Sequence, residues 1–187
     1  KFLAVGTTRE IRALAGPKTQ LIDLKGKAVM PGMMDNHNHA YHAAMANRGI
    51  DLKKVTSLAG LLDGVRKAAV AAGPGKAVYV ASGWELNKFP EKRPPSRQDI
   101  DKVAPNNPVV IYLNRGQIYL NSAALKIAGI TRDTTTIGRV TIKKDSMGEP
   151  DGTITGESGT VARTADMVSP ATQAEKEKLI LETQKEQ

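Results

Sequence analysis

The stretch Val29-Met30-Pro31-Gly32-Met33-Met34-Asp35-Asn36-His37-Asn38-His39 joins an apolar run to two histidines one residue apart. As a β-strand, with its period of two, it puts His37 and His39 on one face, where both imidazoles reach a single cation. Histidine is the commonest metal ligand, and catalytic metal sites leave one coordination position open for water. The chemistry indicated is hydrolysis by metal-activated water. A bare His-x-His also arises on surface turns, but here all three histidines of the chain fall between His37 and His42. His42 is read as an exposed residue or a group behind the ligands rather than a third ligand.

Working outward, the pattern alternates strand and helix. Residues 1–6 and 20–23 read as short strands around a helical turn near 9–14, and residues 28–34 as the next strand. Thr56 or Ser57 caps a helix to about Ala72, with Leu58, Leu61, Leu62 and Val65 on one face and Gly73-Pro74-Gly75 as its stop. Residues 77–82 are β-rich, a proline-punctuated loop follows, and 96–103 turn helical. The apolar run at 108–113 suits a strand buried on both faces. Asn121-Ser122 caps a helix over 123–128, residues 140–143 and 153–155 read as strands about a Met147-Gly148 turn, and Thr172 caps a final amphipathic helix. Alternation of this kind predicts α/β rather than α+β.

These segments resemble a known family. AVMPGMMDNHNHAYH (28–42) is similar to the opening strand of the amidohydrolase superfamily: an apolar run, Pro-Gly, two apolar residues, Asp, then His-x-His. GWELNKFPEKRPPSRQDIDKVAPNNPVVIYLNRGQIYLNSAALKIAGI (83–130) and GRVTIKKDSMGEPDGTITGESG (138–159) resemble blocks of its YtcJ-like branch, as does the opening KFLAVGTTREIRALAGPKTQLIDLKGKAVMPG (1–32). The resemblance implies a metal-dependent hydrolase of amide or other carbon-nitrogen bonds, built on a (β/α)8 barrel with a small flanking β-domain. His37 and His39 would bind metal. Later histidines, a bridging carboxylate or carboxylated lysine and a proton-handling aspartate would complete the site.

No histidine follows His42. A (β/α)8 barrel typically takes about 250 residues, more than the 187 available, so the expectation is an incomplete TIM-type barrel. Residues 1–27 would belong to the flanking β-domain and 28–187 to the N-terminal portion of the barrel. The start inside a strand and the end inside a helical pattern agree with a fragment whose catalytic aspartate lies beyond Gln187, and whose open strand edges are covered by another copy, by further residues or by an altered topology.

Composition narrows the classes. With 40% apolar and 25% charged residues the chain is ordinary globular material. No apolar run approaches the 18 residues or so of a membrane span. The absence of cysteine rules out disulfides and thiolate ligands. A net charge of +8 would suit nucleic acid, but the basic residues are scattered and no recognition motif is present, so a solvated basic surface is preferred.

Five further positions qualify as site candidates. Trp84 and Glu85 follow a predicted strand end, where barrel enzymes place substrates, although a loop tryptophan packed on the surface fits equally. Gln117 stands where the family usually shows histidine; its amide can bond substrate but cannot transfer a proton near neutral pH. Glu157 follows a strand end and could ligate or bridge metal, or serve simply as a helix N-terminal glutamate. Asp35 is read as holding the imidazole tautomer or the strand end rather than as a direct ligand.

The reading is therefore a metal-dependent hydrolase of non-peptide, amide-type bonds, inactive as a fragment, using a divalent metal with zinc foremost. It would act on a small molecule without nucleic acid or membrane. A homo-oligomer remains open; the cytoplasm is the expected location, with export left open. The rivals are a degenerate, non-catalytic binding module and a basic interaction protein.

Overall fold

A computed structural model describes residues 3–32, 34, 37 and 39–185. It divides into two compact units, Lys1–His37 and Asn38–Gln187. In the first, α1 (Thr8–Ala13) is held by a capping box: Thr7 Oγ1 accepts from the Glu10 amide at 3.4 Å, and the Thr7 amide donates to the Glu10 carboxylate at 2.8 Å. The strands expected at 1–6, 20–23 and 28–34 are absent among the described residues. A strand is stable only when its N-H and C=O groups find a ladder, and none of residues 3–32 offers one: Leu3, Val5, Leu21, Ile22, Val29 and Met30 all stay exposed. Pro31 also removes a donor from the run that the histidines follow.

The second unit is built on a six-stranded sheet of β1 (Val78–Val80), β2 (Val109–Asn114), β3 (Gln117–Leu120), β4 (Thr136–Ile137), β5 (Val140–Lys144) and β6 (Pro150–Gly156), in the order β1-β2-β3-β6-β5-β4. The fold is mixed α/β, but only β1 and β2 pair in parallel; the other four pairings are antiparallel. The expected parallel neighbour of β1, residues 28–34, is replaced by Ile50, which bridges Val80 in parallel. The antiparallel half follows from two tight turns. Asn114 Oδ1 accepts from the Gly116 amide at 2.8 Å and folds β3 back on β2; Asp145 Oδ1 accepts from the Met147 and Glu149 amides and folds β6 back on β5.

Helices cover both faces. On one lie α3 (Leu58–Ala72) and α4 (Arg97–Val103), burying Leu61, Val65 and Ile100 against Val78, Val80, Val109 and Ile111. On the other, α5 (Ser122–Ile127) and α6 (Ser158–Val168) pack Ala124, Leu125, Val161 and Ala165 onto Val110, Tyr112, Ile118 and Ile154. Ser57 and Asn121 cap their helices as expected, and Ser96, read as the first residue of its helix, is the cap of α4. Asn121 also stitches the sheet, accepting from the Val109 amide at 2.9 Å and donating to Asn107 O at 2.9 Å. α2 (Ala40–Ala46) and α7 (Gln173–Lys185) close this side, with Tyr41, Met45, Ala162, Ala171 and Leu179 in contact. α7 is less amphipathic than its pattern implied, since Leu181 stays exposed.

One cation ties these elements together. Arg48, 7% exposed, donates from Nη1 to Ser169 O at 2.8 Å, pairs with Asp166 at 3.5 Å and Glu175 at 3.2 Å, and lies 3.9 Å above the Tyr79 ring. Burial pushes the Tyr79 phenol up to about 12, so it stays protonated and donates to Ala165 O and Ser169 O.

Arg48→Met leaves Asp166 without its main partner, and we expect a loss of about 3 kcal/mol in urea unfolding; adding Asp166→Asn should recover part of it. A second expectation concerns acid. The Arg93 guanidinium, then the Ser96 hydrogen bonds, hold Asp99 down at about 2 against the opposing cost of burial. Because the folded value lies below the unfolded one, this stability is present above about 3.8 and is lost as pH falls toward about 2. Asp99→Asn should flatten the unfolding free energy across that window.

Candidate functional site

The parallel strands β1 and β2 end at one edge of the sheet, which also carries the start of β3, the end of β6 and the start of β5, through the pairs Asn114–Gln117, Gln117–Thr155 and Val140–Gly156. Ligands of α/β sheets gather beyond the carboxyl ends of parallel strands. α2 and α6 run alongside each other in the same direction: His42 lies at the start of α6, and Arg48 at its end.

His39 is the N-cap residue of α2 and makes no side-chain cap. Its Nδ1 stands 3.4 Å from Nδ1 of His42, with ring centroids 5.7 Å apart. Two ring nitrogens that close either share one proton as donor and acceptor or face a common cation. The far side of the His42 ring rests on α6 at Gly159, where a β-carbon would lie 3.0 Å from His42 Nε2 and 3.6 Å from Glu157 Oε1. Glycine at this position is what lets the imidazole and the carboxylate approach each other.

Glu157 follows β6 and is the exposed N-cap residue of α6. Its carboxylate accepts from Thr160 Oγ1 at 3.3 Å, and Thr160 Oγ1 accepts from Arg163 Nη2 at 3.0 Å. One turn of α6 thus sets a carboxylate, a buried hydroxyl and a guanidinium in line, at the i, i+3 spacing that makes helix residues neighbours.

The other sequence candidates fall in different settings. His37 is exposed and belongs to the first compact unit, and Asp35 lies outside the described residues. Trp84 is 2% exposed; its indole donates to Tyr112 O at 2.8 Å and stacks on Phe89 at 5.4 Å, so its ring belongs to the core rather than to a loop surface. Glu85 is engaged with Lys88 Nζ at 2.6 Å. Gln117 stands on the rim, but its Nε2 donates to the Tyr119 hydroxyl at 2.8 Å. Among the described residues no three His, Cys, Asp or Glu side chains form a metal-sized group. Sequence reasoning allowed Glu157 as a helix N-terminal glutamate but did not follow that helix to Gly159, Thr160 and Arg163, although the spacing Glu157-Thr160-Arg163 carried the signal. Arg48 had no sequence signal at all.

Residues 20–186 match the Amidohydrolase family. The chain is 33% identical over 157 residues to the N-substituted formamide deformylase of Arthrobacter pascens, covering 82% of the chain and 29% of that protein. It is 32% identical over 137 residues to the amidohydrolase-type protein YtcJ of Bacillus subtilis, covering 73% and 26%. An uncharacterized metal-dependent hydrolase from Pyrococcus furiosus shares the fold with a TM-score of 0.51 at 24% identity, over 95% of this chain and 33% of that one. The chain thus spans about a quarter to a third of the length of these relatives. The segments around His37, His39, Gln117 and Glu157 all fall within the matched residues, and on this ground the chain belongs to the amidohydrolase family, in its YtcJ-like branch.

Proposed function

We propose that this chain is the N-terminal portion of a metal-dependent hydrolase that cleaves carbon-nitrogen bonds of small, amide-type substrates, and that its sheet is part of an incomplete (β/α)8 barrel. Residues 1–27 would contribute to a flanking β-domain. The observation that carries the reading is the His-x-His motif in its family context, with His39, His42 and Glu157 set about the strand-end rim. The deformylase relative supports an amide-type bond as the target.

The donor set suits a borderline cation: two imidazoles from His37 and His39, and a carboxylate from Glu157 as third ligand, with zinc the best match and no thiolate required. A bound divalent ion supplies a Lewis acid and lowers the pKa of water to about 7. His42 would hold the His39 ring in one tautomer. Thr160, donating to Glu157, would keep that carboxylate oriented, and Arg163 would hold Thr160. Asp35 would steady the strand end. The residue that carries the proton to the leaving nitrogen is assigned to an aspartate beyond Gln187.

Gln117 supports a second reading, a non-catalytic binding module of the same family: the amide in the usual histidine position is tied to Tyr119 and cannot transfer a proton. Turnover separates the two. A longer protein containing this chain should hydrolyse an N-substituted amide, stop on chelation and recover with zinc; metal binding without turnover would favour the module.

By calorimetry the 187-residue chain should bind zinc weakly, since no histidine follows His42 to supply the later ligands that the family resemblance adds, and His37→Ala with His39→Ala should abolish that binding. Unchanged affinity would remove the pair from the mechanism. Gly159→Ala sets two effects against each other. It gains up to about 1 kcal/mol of helix propensity while pressing a methyl on His42 Nε2. Melting should therefore change little, while zinc affinity and turnover fall.

A further inference from the structure

A small cavity of about 140 Å3 opens beside Ala81, just past the end of β1. Asn47 at the close of α2, Asp51 and Lys53 in the segment beside β1, and Glu182 and Thr183 on α7 line it. Asn47 stands eight residues along α2 from His39, which at the helical rise is about 12 Å. Thr183 is only 6% exposed, yet its hydroxyl has no hydrogen-bond partner among the described residues. A buried helical threonine can return its hydroxyl to the carbonyl one turn back, as Thr164 does to Thr160 O at 2.8 Å. Thr183 does not, and a polar group withdrawn from bulk water without a partner is costly. A ligand in the cavity that Thr183 lines offsets that cost.

The charge around the cavity says which ligand. Asp51 commits Oδ1 to the Lys53 amide at 2.8 Å and leaves Oδ2 4.0 Å from Lys53 Nζ. Glu182 Oε1 meets Lys178 Nζ at 3.8 Å, but Lys178 is three-quarters exposed and that pair is screened. Two carboxylates less one ammonium leave the lining at −1, in a chain of net charge +8. The close of α2 at Asn47 adds the negative pole of a helix. The groups able to face a cation are all oxygens: two carboxylates, the Asn47 amide oxygen and the Thr183 hydroxyl, with neither imidazole nor thiolate. Such a set selects a hard ion, and ligands drawn from three separate segments suit the adaptable shell of calcium better than the strict octahedron of magnesium.

We infer that this cavity is a calcium site that pins α7 to the end of α2 and to the segment beside β1. Asp51, Glu182, Asn47 and Thr183 are its ligands, and water completes a shell of about six to eight oxygens. Lys53 is the competitor built into it: the ammonium is 45% exposed, so it moves out to solvent as the ion enters. The site stands whether or not the rim is catalytic.

Calcium chloride titrated into the isotope-labelled chain at fixed ionic strength should move the amides of Asn47, Asp51 and Thr183 along saturating curves and leave Glu157 and Gly159 in place. Thr183→Val keeps the shape and removes the oxygen, and should weaken binding about fivefold or more; Asp51→Asn with Glu182→Gln should abolish it. Lys53→Met should tighten binding about tenfold, whereas Lys67→Met, an equal charge change on α3, should not. Magnesium, which gives up its water reluctantly, should bind at least about tenfold more weakly. Shifts that gather at Glu157, shifts that never saturate, unchanged affinity after Thr183→Val, or a Lys53→Met chain that binds no better than Lys67→Met would each overturn the site. Magnesium binding as tightly as calcium would overturn the choice of ion.

Discussion

Arg48 is a cation almost wholly withdrawn from water, and the arrangement of the second unit follows from how that charge is compensated. A guanidinium cannot be neutralised at accessible pH, so burial obliges the surroundings to supply acceptors. They come from three elements: Asp166 and the Ser169 carbonyl at the end of α6, Glu175 on α7, and the Tyr79 ring on β1. Glu175 is largely solvated, so its pair is worth little; Asp166 and the carbonyl carry most of the compensation. Fixing that end of α2 against α6 fixes the other end too, and the two helices then bring His42 onto Gly159.

The site consequently depends on two glycines and one arginine as much as on the histidines that first draw the eye. Gly49, with φ of 104°, passes so close to β1 that a β-carbon there would stand 2.0 Å from Tyr79 O. That close approach lets Ile50 join β1 and sets Arg48 beneath it. Gly159 performs the corresponding service at the opposite end.

Much of this was legible in the sequence where the signal was local. Ser57, Ser96 and Asn121 mark helix starts because a side-chain oxygen satisfies an orphan amide, and Gly73 marks a helix end because its φ of 83° suits glycine. The strands at 78–80 and 109–114 were legible from apolar runs. What failed was non-local. Residues 28–34 have strand composition, but a strand needs a partner, and composition does not say which residues lie beside it. The antiparallel half was readable in part: Asn114-Arg115-Gly116 is a turn signal between two β-rich runs. Of the candidate site, the residue types were visible and their neighbours were not, which is why Trp84 looked like a loop residue and proved to be core, while Thr160 and Arg163 went unnoticed.

The placement of Trp84 also determines what light can report about this molecule. It is the only indole in the chain, shielded from water, bonded to the Tyr112 carbonyl and stacked on Phe89 within the core shared by α3, α4 and the sheet. Its emission is therefore a gauge of that core's integrity: blue-shifted while the layers hold, moving to the red when water enters. His42 and Glu157 stand at the start of α6, which packs on the opposite face of the sheet. The chain thus carries a built-in optical probe of one core layer, and its signal reports on that layer rather than on the helix that carries Glu157.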